Sequence, residues 1–190
     1  VLIDTLVRVL PETKPEPLMQ VLGIMNGKGA VPFALVTIHR ADTIDDQEAF
    51  DALLDAVTDL ARDIPIVFPV HPRTRSRMRD HHLKFSGLLL TEPMRYMQYV
   101  GLEQHAQFVI TDSGGVQEET TYLGVPCLTL RDGTDRPITT TIGTSVLVGR
   151  DSRALKAEAH RVLNGKGRRG SAPALWDGQA AARIAAHLVH

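Results

Sequence analysis

The fold is decided by one stretch of the sequence, Phe108-Val109-Ile110-Thr111-Asp112-Ser113-Gly114-Gly115-Val116-Gln117-Glu118-Glu119. Its first four residues are apolar or β-branched without alternation, which is typical of a strand buried on both faces of a parallel sheet. Two glycines follow, and they let a ligand approach the backbone where a helix begins. The start of that helix offers free N–H groups and a positive dipole end to a phosphate. The stretch therefore predicts a strand–turn–helix unit that either binds an anion or is simply a capped helix.

Five further runs of the same kind lie on either side of this stretch. The six predicted strands cover residues 33–38, 66–70, 88–90, 108–111, 127–130 and 146–148. Segments with helical spacing of apolar residues alternate with them, at 45–62, 75–82, 95–104, 115–122, 152–163 and 179–189. Asp45, with Glu48 three residues later, predicts the capped start of the first of these helices. The repeated alternation of strand and helix predicts an α/β fold with a doubly wound, Rossmann-like parallel sheet.

The composition of the chain indicates which class of protein it belongs to and which kinds of partner it lacks. Hydrophobic residues make up 43% and charged residues 23%, which is an ordinary globular balance. The formal net charge of −1 gives no general attraction to nucleic acid. No apolar run approaches the roughly 20 residues that cross a membrane. The one cysteine, Cys127, can build neither a disulfide framework nor a thiolate metal site. We therefore expect a cytoplasmic protein with no nucleic-acid or membrane partner.

Polar residues follow the predicted strands at the places where each strand ends. Ligands of an open α/β sheet bind at the carboxyl ends of its strands, so these positions predict a site. The residues are His39, Arg40, His71, those at 91–93 and 111–115, Arg131 and Arg136.

These side chains have both functional and structural interpretations. Arg131 and Arg136 flank the exit of one strand, and a guanidinium group can bind phosphate in a bidentate manner. His39 is a candidate for proton transfer or phosphate binding, or else a hydrogen-bonded structural histidine. His71 precedes a proline and fits a structural turn equally well.

Ser113 and the glutamates that follow it are interpreted as ligand contacts. Ser113 has no evident activating base, which argues against a nucleophile. A carboxylate repels a diphosphate, so Glu118 or Glu119, if it faces the cleft, would accept from sugar or ribose hydroxyls. The sequence has no closely spaced histidine or cysteine pair of the kind that holds a metal, and no Walker loop or nucleophile elbow. We therefore expect no metal and no cofactor.

Five stretches occur in the order and spacing of one known family. They are residues 37–40, 70–72, 90–93, 111–119 and 131–137. With them, the sequence resembles the carboxy-terminal domain of the non-hydrolysing UDP-N-acetylglucosamine 2-epimerases. The resemblance implies one half of a glycosyltransferase-B-like enzyme with two Rossmann-type domains.

The resemblance also implies a division of the chain and a missing partner. Residues 1–32 would form an interdomain helical segment, which the sequence predicts as one or two short helices. Residues 33–170 would form the UDP-binding domain. Residues 171–190 would carry a carboxy-terminal helix that packs on the missing amino-terminal domain. A homodimer is also implied.

Roles for single residues follow from the resemblance. His39 would be catalytic, and Arg40 and His71 match positions linked to a second, allosteric UDP-N-acetylglucosamine. The backbone at 92–94 would contact the edge of the uracil. The substrate UDP-N-acetylglucosamine, or UDP, would be bound by Tyr99 beside the uracil, Glu119 on the ribose, and Ser113, Gly114, Gly115 and Arg136 at the diphosphate.

The implied reaction inverts the sugar at C2 and gives UDP-N-acetylmannosamine. UDP is eliminated to leave a 2-acetamidoglucal and is then added back to the opposite face. Charge develops on the departing diphosphate, so positive donors there stabilise the transition state. The acids that move the C2 proton belong to the missing domain, so the chain alone is expected to be inactive.

Other functions remain open at this level. A hydrolysing relative or a glycosyltransferase of the same architecture would bind the nucleotide in the same way, and the acids of the missing half would distinguish them. A nucleotide-sugar-binding module without catalysis has less need of His39 beside Arg136. A purely structural domain leaves the cluster at the strand ends unexplained.

Overall fold

The computed structural model describes residues 1–79 and 87–189 of the chain. A six-stranded parallel sheet forms its centre, with the strand order β5-β4-β3-β6-β7-β8. The strands are β3 (Ala34–Thr37), β4 (Ile66–Pro69), β5 (Leu88–Thr91), β6 (Phe108–Thr111), β7 (Cys127–Thr129) and β8 (Ser145–Leu147). A small antiparallel hairpin precedes them, made of β1 (Met25–Asn26) and β2 (Gly29–Ala30). All six predicted strands are present, and the parallel α/β fold is confirmed.

Helices connect the strands and continue at both ends of the chain. Two α-helices precede the sheet, separated by a 3₁₀ turn at Leu10–Glu12, in agreement with the one or two short helices predicted for residues 1–32. The α-helices are α1 (Leu2–Val9), α2 (Glu16–Val21), α3 (Ala41–Ile44), α4 (Gln47–Leu60), α5 (Pro72–Arg75), α6 (Tyr96–Glu103), α7 (Gly114–Leu123), α8 (Pro137–Thr141), α9 (Ser152–Leu163) and α10 (Ala180–Leu188).

The cap of α4 lies one residue later than the sequence pattern predicts. The Asp46 side chain accepts a hydrogen bond from the backbone N–H of Ala49 at 3.1 Å. Asp45 instead receives two hydrogen bonds from the Arg73 guanidinium, at 2.9 and 3.1 Å. The prediction of Asp45 as the cap was wrong because the Arg73 guanidinium binds Asp45, while Asp46 caps the helix without a glutamate three residues later.

Of the helix predicted at 75–82, only residues 75–79 lie in the described part of the chain, and among these only Arg75 is helical, as the last residue of α5. Helix α5 begins at Pro72, where the missing N–H and fixed φ of proline suit the first helical position. The His71 side chain accepts from the N–H of Arg73 at 3.3 Å, and the helix ends at Arg75. His81 and His82, which the sequence assigns to the end of this helix, lie outside the described residues.

Alternate strand residues point to opposite sides of the sheet, so a buried strand presents apolar side chains on both faces. Helices cover each of these faces. On one side Val36, Ile66 and Ile110 pack with side chains of α4 and α9, such as Phe50 and Leu155. The other side faces α2, α6 and α7 through a second cluster. That cluster contains Met19, Ile24, Phe33, Leu35, Val67, Leu102, Val109 and Val116. The doubly wound arrangement is therefore confirmed.

The two ends of the chain pack together beside α6. Ile3 and Leu6 of α1 are buried with Val100, and the partly buried Trp176 packs against them. The Asp4 carboxylate accepts from the backbone N–H groups of Ala180 at 3.2 Å and Ala181 at 2.6 Å, at the start of α10. No residue of α10 is buried.

Candidate functional site

The sheet has a topological switch point between its two central strands. From β3 the chain proceeds outward through β4 and β5, and from β6 it proceeds through β7 and β8 on the other side. The connections after β3 and β6 therefore diverge, which opens a crevice at their carboxyl ends. Thr37, which ends β3, is in register with Thr111, which ends β6. Side chains that follow these two residues meet at the crevice.

His39 and Asp112 form a pair at this switch point. The distance from His39 Nδ1 to Asp112 Oδ1 is 3.1 Å. Asp112 Oδ2 accepts from the backbone N–H groups of His39 at 3.0 Å and Arg40 at 2.9 Å. Asp112 is fully buried and His39 is partly exposed, so the carboxylate orients the imidazole toward the crevice.

The pair shifts the proton affinity of both members. The close contact of the His39 Nδ1–H with the Asp112 carboxylate, which accepts from it, raises the pKa of His39 above its ordinary 6.5, although burial opposes this shift. Burial alone would raise the pKa of Asp112. The hydrogen bonds from the His39 ring and the Arg40 N–H outweigh burial and hold the pKa of Asp112 below its ordinary value. The fold therefore favours an imidazolium beside a carboxylate.

The amino terminus of α7 lies next to this pair. Ser113 is its N-cap, and Ser113 Oγ accepts from the N–H of Val116 at 3.5 Å. The helix begins at Gly114, one residue before the predicted start. At ten residues, α7 is long enough to present free N–H groups and the positive end of its dipole at this point.

The two glycines of α7 differ in how closely their neighbours approach, and only Gly115 has a tight one. A Cβ atom on Gly115 would lie 3.3 Å from Leu2 Cδ1 of α1, which is a tight contact. On Gly114 it would lie 3.6 Å from Asp135 Oδ1 and 3.8 Å from Arg136 Cγ. Part of the glycine requirement is therefore packing within the chain, and the loop after β7 lies over the start of α7.

Arg136 is held at that loop by acidic neighbours. Its Nε lies 3.2 Å from Glu118 Oε1, and its Nη1 lies 3.1 Å from Asp135 Oδ2. Asp135 also pairs with Arg131 Nη1 at 2.8 Å. Glu118 therefore faces the loop rather than the crevice. The guanidinium of Arg136 stands near the α7 terminus, where a bound phosphate could compete with the carboxylates.

The crevice is a cleft of about 360 Å³. It brings together five of the predicted site residues, His39, His71, Tyr99, Ser113 and Glu119. The other lining residues are Thr37, Pro69, Pro93, Met94, Tyr96 and Val116. Gly114, Gly115, Arg136 and Arg40 do not line this cleft. Arg136 and the glycines lie beside it at the α7 start, and Arg40 pairs with Asp42 at 3.3 Å.

Glu119 is the carboxylate that faces the cleft. It is 5% exposed, and its Oε1 accepts a hydrogen bond from the Tyr96 hydroxyl at 2.7 Å. Burial raises the pKa of Glu119, and the hydrogen bond from Tyr96 opposes this effect. Burial, together with the hydrogen bond to Glu119, raises the pKa of Tyr96. Glu119 thus presents a hydrogen-bond acceptor within a largely apolar wall.

Beneath this wall lies a second carboxyl group, on Glu103. It is fully buried, and neither oxygen has a hydrogen-bond partner among the described residues. The buried hydroxyl of Tyr99 is likewise without a partner there. Burial, with a further contribution from Glu119, raises the pKa of Glu103 well above 4.5. Within residues 1–79 and 87–189, no three metal-binding side chains are grouped as an ion would require.

The whole described chain matches one family model. Residues 1–189 match the model for UDP-N-acetylglucosamine 2-epimerase. This chain belongs to that family. The resemblance drawn from the five sequence stretches is therefore confirmed.

Relatives of this epimerase-family chain are considerably longer than it is. A UDP-N-acetylglucosamine 2-epimerase of Methanocaldococcus jannaschii is 36% identical over 141 residues, which make up 70% of this chain and 38% of that protein. A UDP-2,3-diacetamido-2,3-dideoxy-D-glucuronate 2-epimerase of Pseudomonas aeruginosa is 36% identical over 157 residues, or 82% of this chain and 44% of that protein. The matched segments cover less than half of each relative, and the chain as a whole spans about half their length.

A solved epimerase supports the same conclusion about the fold. The crystal structure of UDP-GlcNAc 2-epimerase from Neisseria meningitidis, bound to UDP-GlcNAc, superposes with a TM-score of 0.85 at 26% identity. The match covers 98% of this chain and 53% of that one. The predicted half of a glycosyltransferase-B-like architecture is thus confirmed. In the described parts of the chain, no helix has the length and apolar character needed to cross a membrane.

Sequence reasoning missed several residues of this epimerase-family site. The pairing of Asp112 with His39 bridges 73 positions and depends on the adjacency of β3 and β6. Tyr96 and Glu103 were not predicted, although they lie three residues before and four residues after the predicted Tyr99, on one face of a helix. That spacing is the signal that could have identified them.

Proposed function

We propose that this chain is the nucleotide-binding half of a UDP-N-acetylglucosamine 2-epimerase, which converts UDP-N-acetylglucosamine to UDP-N-acetylmannosamine by elimination and re-addition of UDP. One observation carries the proposal. The His39–Asp112 pair, the α7 amino terminus and the Glu119 carboxylate meet at a single switch-point crevice, with Arg136 beside it.

The diphosphate binds at the start of α7. Free N–H groups beginning at Gly114, the Ser113 hydroxyl and the helix dipole all favour an anion there. The Arg136 guanidinium lies beside the same point and exchanges its contacts with Glu118 and Asp135 for phosphate oxygens. These donors stabilise the charge that develops when UDP departs.

The nucleoside occupies the apolar part of the cleft. Glu119 accepts from the ribose hydroxyls, which requires that it exchange or share the hydrogen bond from Tyr96. Tyr99 lies beside the uracil, and the backbone at 92–94 contacts the edge of the base. The neighbouring Pro93 and Met94 side chains line the same cleft and supply apolar contact area.

His39 acts as a cationic or proton-donating group near the leaving diphosphate. The Asp112 hydrogen bond raises its pKa, so a larger fraction of the ring is protonated near neutral pH. An imidazolium there stabilises negative charge on UDP and lowers the barrier for elimination. The predicted allosteric contacts of Arg40 and His71 remain a proposal. In this structure His71 caps α5 and also lines the cleft.

The other half of the enzyme supplies the acids that move the C2 proton, so the chain alone is inactive. The surface of this chain that docks on the other half includes the carboxy-terminal helix α10, where Ile184 is 50% exposed and Leu188 is 77% exposed. This arrangement corresponds to a division into an interdomain segment at 1–32, a UDP-binding domain at 33–170 and a docking helix at 171–190. The proposed protein acts in the cytoplasm, as a possible homodimer.

Titration calorimetry with UDP tests this function. Arg136→Ala should weaken UDP binding at least tenfold, because the diphosphate loses a charged contact. Arg150→Ala is a matched control, since both arginine side chains are 42% exposed and both follow strands of the sheet. The control should bind UDP as the wild type does. A folded wild-type chain that shows no saturable binding at millimolar UDP would contradict the proposal.

A further inference from the structure

The buried side chain of Gln117 connects both sides of the proposed diphosphate site. Gln117 lies one turn into α7 and is fully buried. Its Oε1 accepts from the Thr134 hydroxyl at 2.7 Å and lies 3.3 Å from the Thr139 hydroxyl. Its Nε2 donates to the carbonyl oxygen of Ser113 at 3.4 Å. One amide group therefore contacts the N-cap of α7 and the segment that carries Arg136.

The two threonines hold the backbone of Arg136 from both sides. The Arg136 N–H donates to Thr134 Oγ1 at 3.0 Å. The Arg136 carbonyl accepts from the Thr139 hydroxyl at 2.7 Å and from the Thr139 N–H at 3.0 Å. With φ −122° and ψ 58°, Arg136 lies outside regular helix or strand geometry. Arg136 is the N-cap of α8, so its position depends on these side-chain contacts together with the first turn of that helix.

Only an amide satisfies this arrangement. The Ser113 carbonyl can only accept, so the group that faces it must be a donor. The Thr134 hydroxyl accepts from Arg136 and uses its one proton toward Gln117, so the opposite end of the side chain must accept. A carboxylate at position 117 would lack the donor, and an apolar side chain would lack both groups. Without the amide, the Ser113 carbonyl keeps its hydrogen bond from the Gln117 backbone N–H at 3.3 Å, but the Thr134 hydroxyl loses its acceptor on α7.

We propose that Gln117 is a positioning residue that fixes Arg136 relative to the α7 amino terminus and thereby sets the affinity of the site for the diphosphate. This inference rests on the proposed function, because Arg136 must contact phosphate for its position to matter. Gln117 itself is buried and need not touch the ligand. Its influence passes through Thr134 and Thr139 to the guanidinium.

The test compares UDP with uridine, which lacks both phosphates. Gln117→Met keeps the length of the side chain and removes both hydrogen-bonding groups. We expect about a tenfold loss of UDP affinity, equivalent to about 1.4 kcal/mol, with uridine binding unchanged when both are followed by NMR shift titration. Thr134→Val removes the hydrogen bond between Thr134 and Gln117 by a change in the partly exposed loop, and it should produce a similar loss of UDP affinity. It keeps the test decisive if Gln117→Met does not fold.

A double-mutant cycle distinguishes positioning from a general structural effect. If Gln117 acts through Arg136, Gln117→Met should have little further effect on UDP affinity in the Arg136→Ala background. Thr120→Val is the control, because Thr120 is equally buried in α7 but donates within its own helix, to Val116 O at 2.7 Å. It should leave UDP affinity unchanged.

The outcomes separate this inference from the function on which it rests. Equal losses for UDP and uridine, or additive effects in the cycle, would overturn the positioning role. Wild-type UDP affinity in both Gln117→Met and Thr134→Val would also overturn it, while a loss in Arg136→Ala would leave the proposed function intact. A wild-type chain without UDP affinity would instead remove the proposed function.

Discussion

The contact between His39 and Asp112 gives one side chain of the cleft a measurable pH dependence. Asp112→Asn replaces the acceptor that faces the ring with a neutral amide, so the pKa of His39 should fall. Below pH 6.5 the wild-type pair contributes its full stabilisation, and this is lost as pH rises through the raised pKa of His39. NMR titration of the ring protons measures the shift.

A control for this titration lies on another surface of the same protein. His160 Nε2 is 3.1 Å from Asp63 Oδ2, and Asp63→Asn should leave the titration of His39 unchanged. If His39 titrates identically in the wild type and in Asp112→Asn, the electrostatic account of the pair is wrong.

Glu103 gives a pH dependence of the same sign as His39, but the cause is burial rather than a charged partner. Burial raises its pKa, so the folded state binds its proton more tightly than the unfolded state does. Stability is therefore lost as pH rises from 4.5 toward the folded pKa. Glu103→Met should raise the free energy of unfolding by about 1–3 kcal/mol at neutral pH, since it removes an unsatisfied buried carboxyl group. Urea unfolding at several pH values should show the gain increasing with pH.

The matched control for Glu103→Met is a carboxylate at the surface. Glu92 is 85% exposed, and Glu92→Met should change the free energy of unfolding by no more than about 0.5 kcal/mol. A Glu103→Met variant that is less stable than the wild type at all pH values would show that the carboxyl group has a favourable partner.

At the scale of elements, the cap of α4 offers a direct test of the corrected helix start. Asp46→Ala removes the acceptor for the Ala49 N–H and should cost about 1 kcal/mol of unfolding free energy. Glu48→Ala removes only an exposed charge from the first turn and should cost less than half as much. Urea denaturation of both variants measures the difference. Equal losses would assign the stabilisation to charge near the helix start rather than to the cap.

The elements also show which features the sequence could predict. Each central strand is an uninterrupted apolar run, so its existence follows from local pattern, as at Phe108 to Thr111. The short helix α3 has a single turn and no period to detect. The contacts of Gln117 with Thr134 and of His39 with Asp112 depend on which strands are neighbours. Local pattern therefore identifies the elements and the strand-end residues, whereas strand order determines which of those residues meet.

At the scale of the whole molecule, the proposed docking of α10 predicts that its exposed side chains matter for binding the other half of the enzyme but not for the stability of this chain. Replacing Ile184 and Leu188 by serine should leave the unfolding midpoint of this chain unchanged, because both side chains are exposed. Leu155→Ala, at a fully buried position, should instead cost about 2–5 kcal/mol. In the full-length enzyme, the double serine variant should lower epimerase activity. Full activity would argue against docking through this face.

The contact of Trp176 with the cluster of Ile3 and Leu6 provides an optical reporter. The chain has one tryptophan, so its intrinsic fluorescence above 295 nm excitation comes from this position alone. Undocking of α1 would expose the indole to water and shift its emission to the red, even while the sheet stayed intact. A fluorescence melt therefore follows the junction of the chain ends, and circular dichroism follows the helices as a whole. A difference between the two midpoints would reveal that the junction opens before the core.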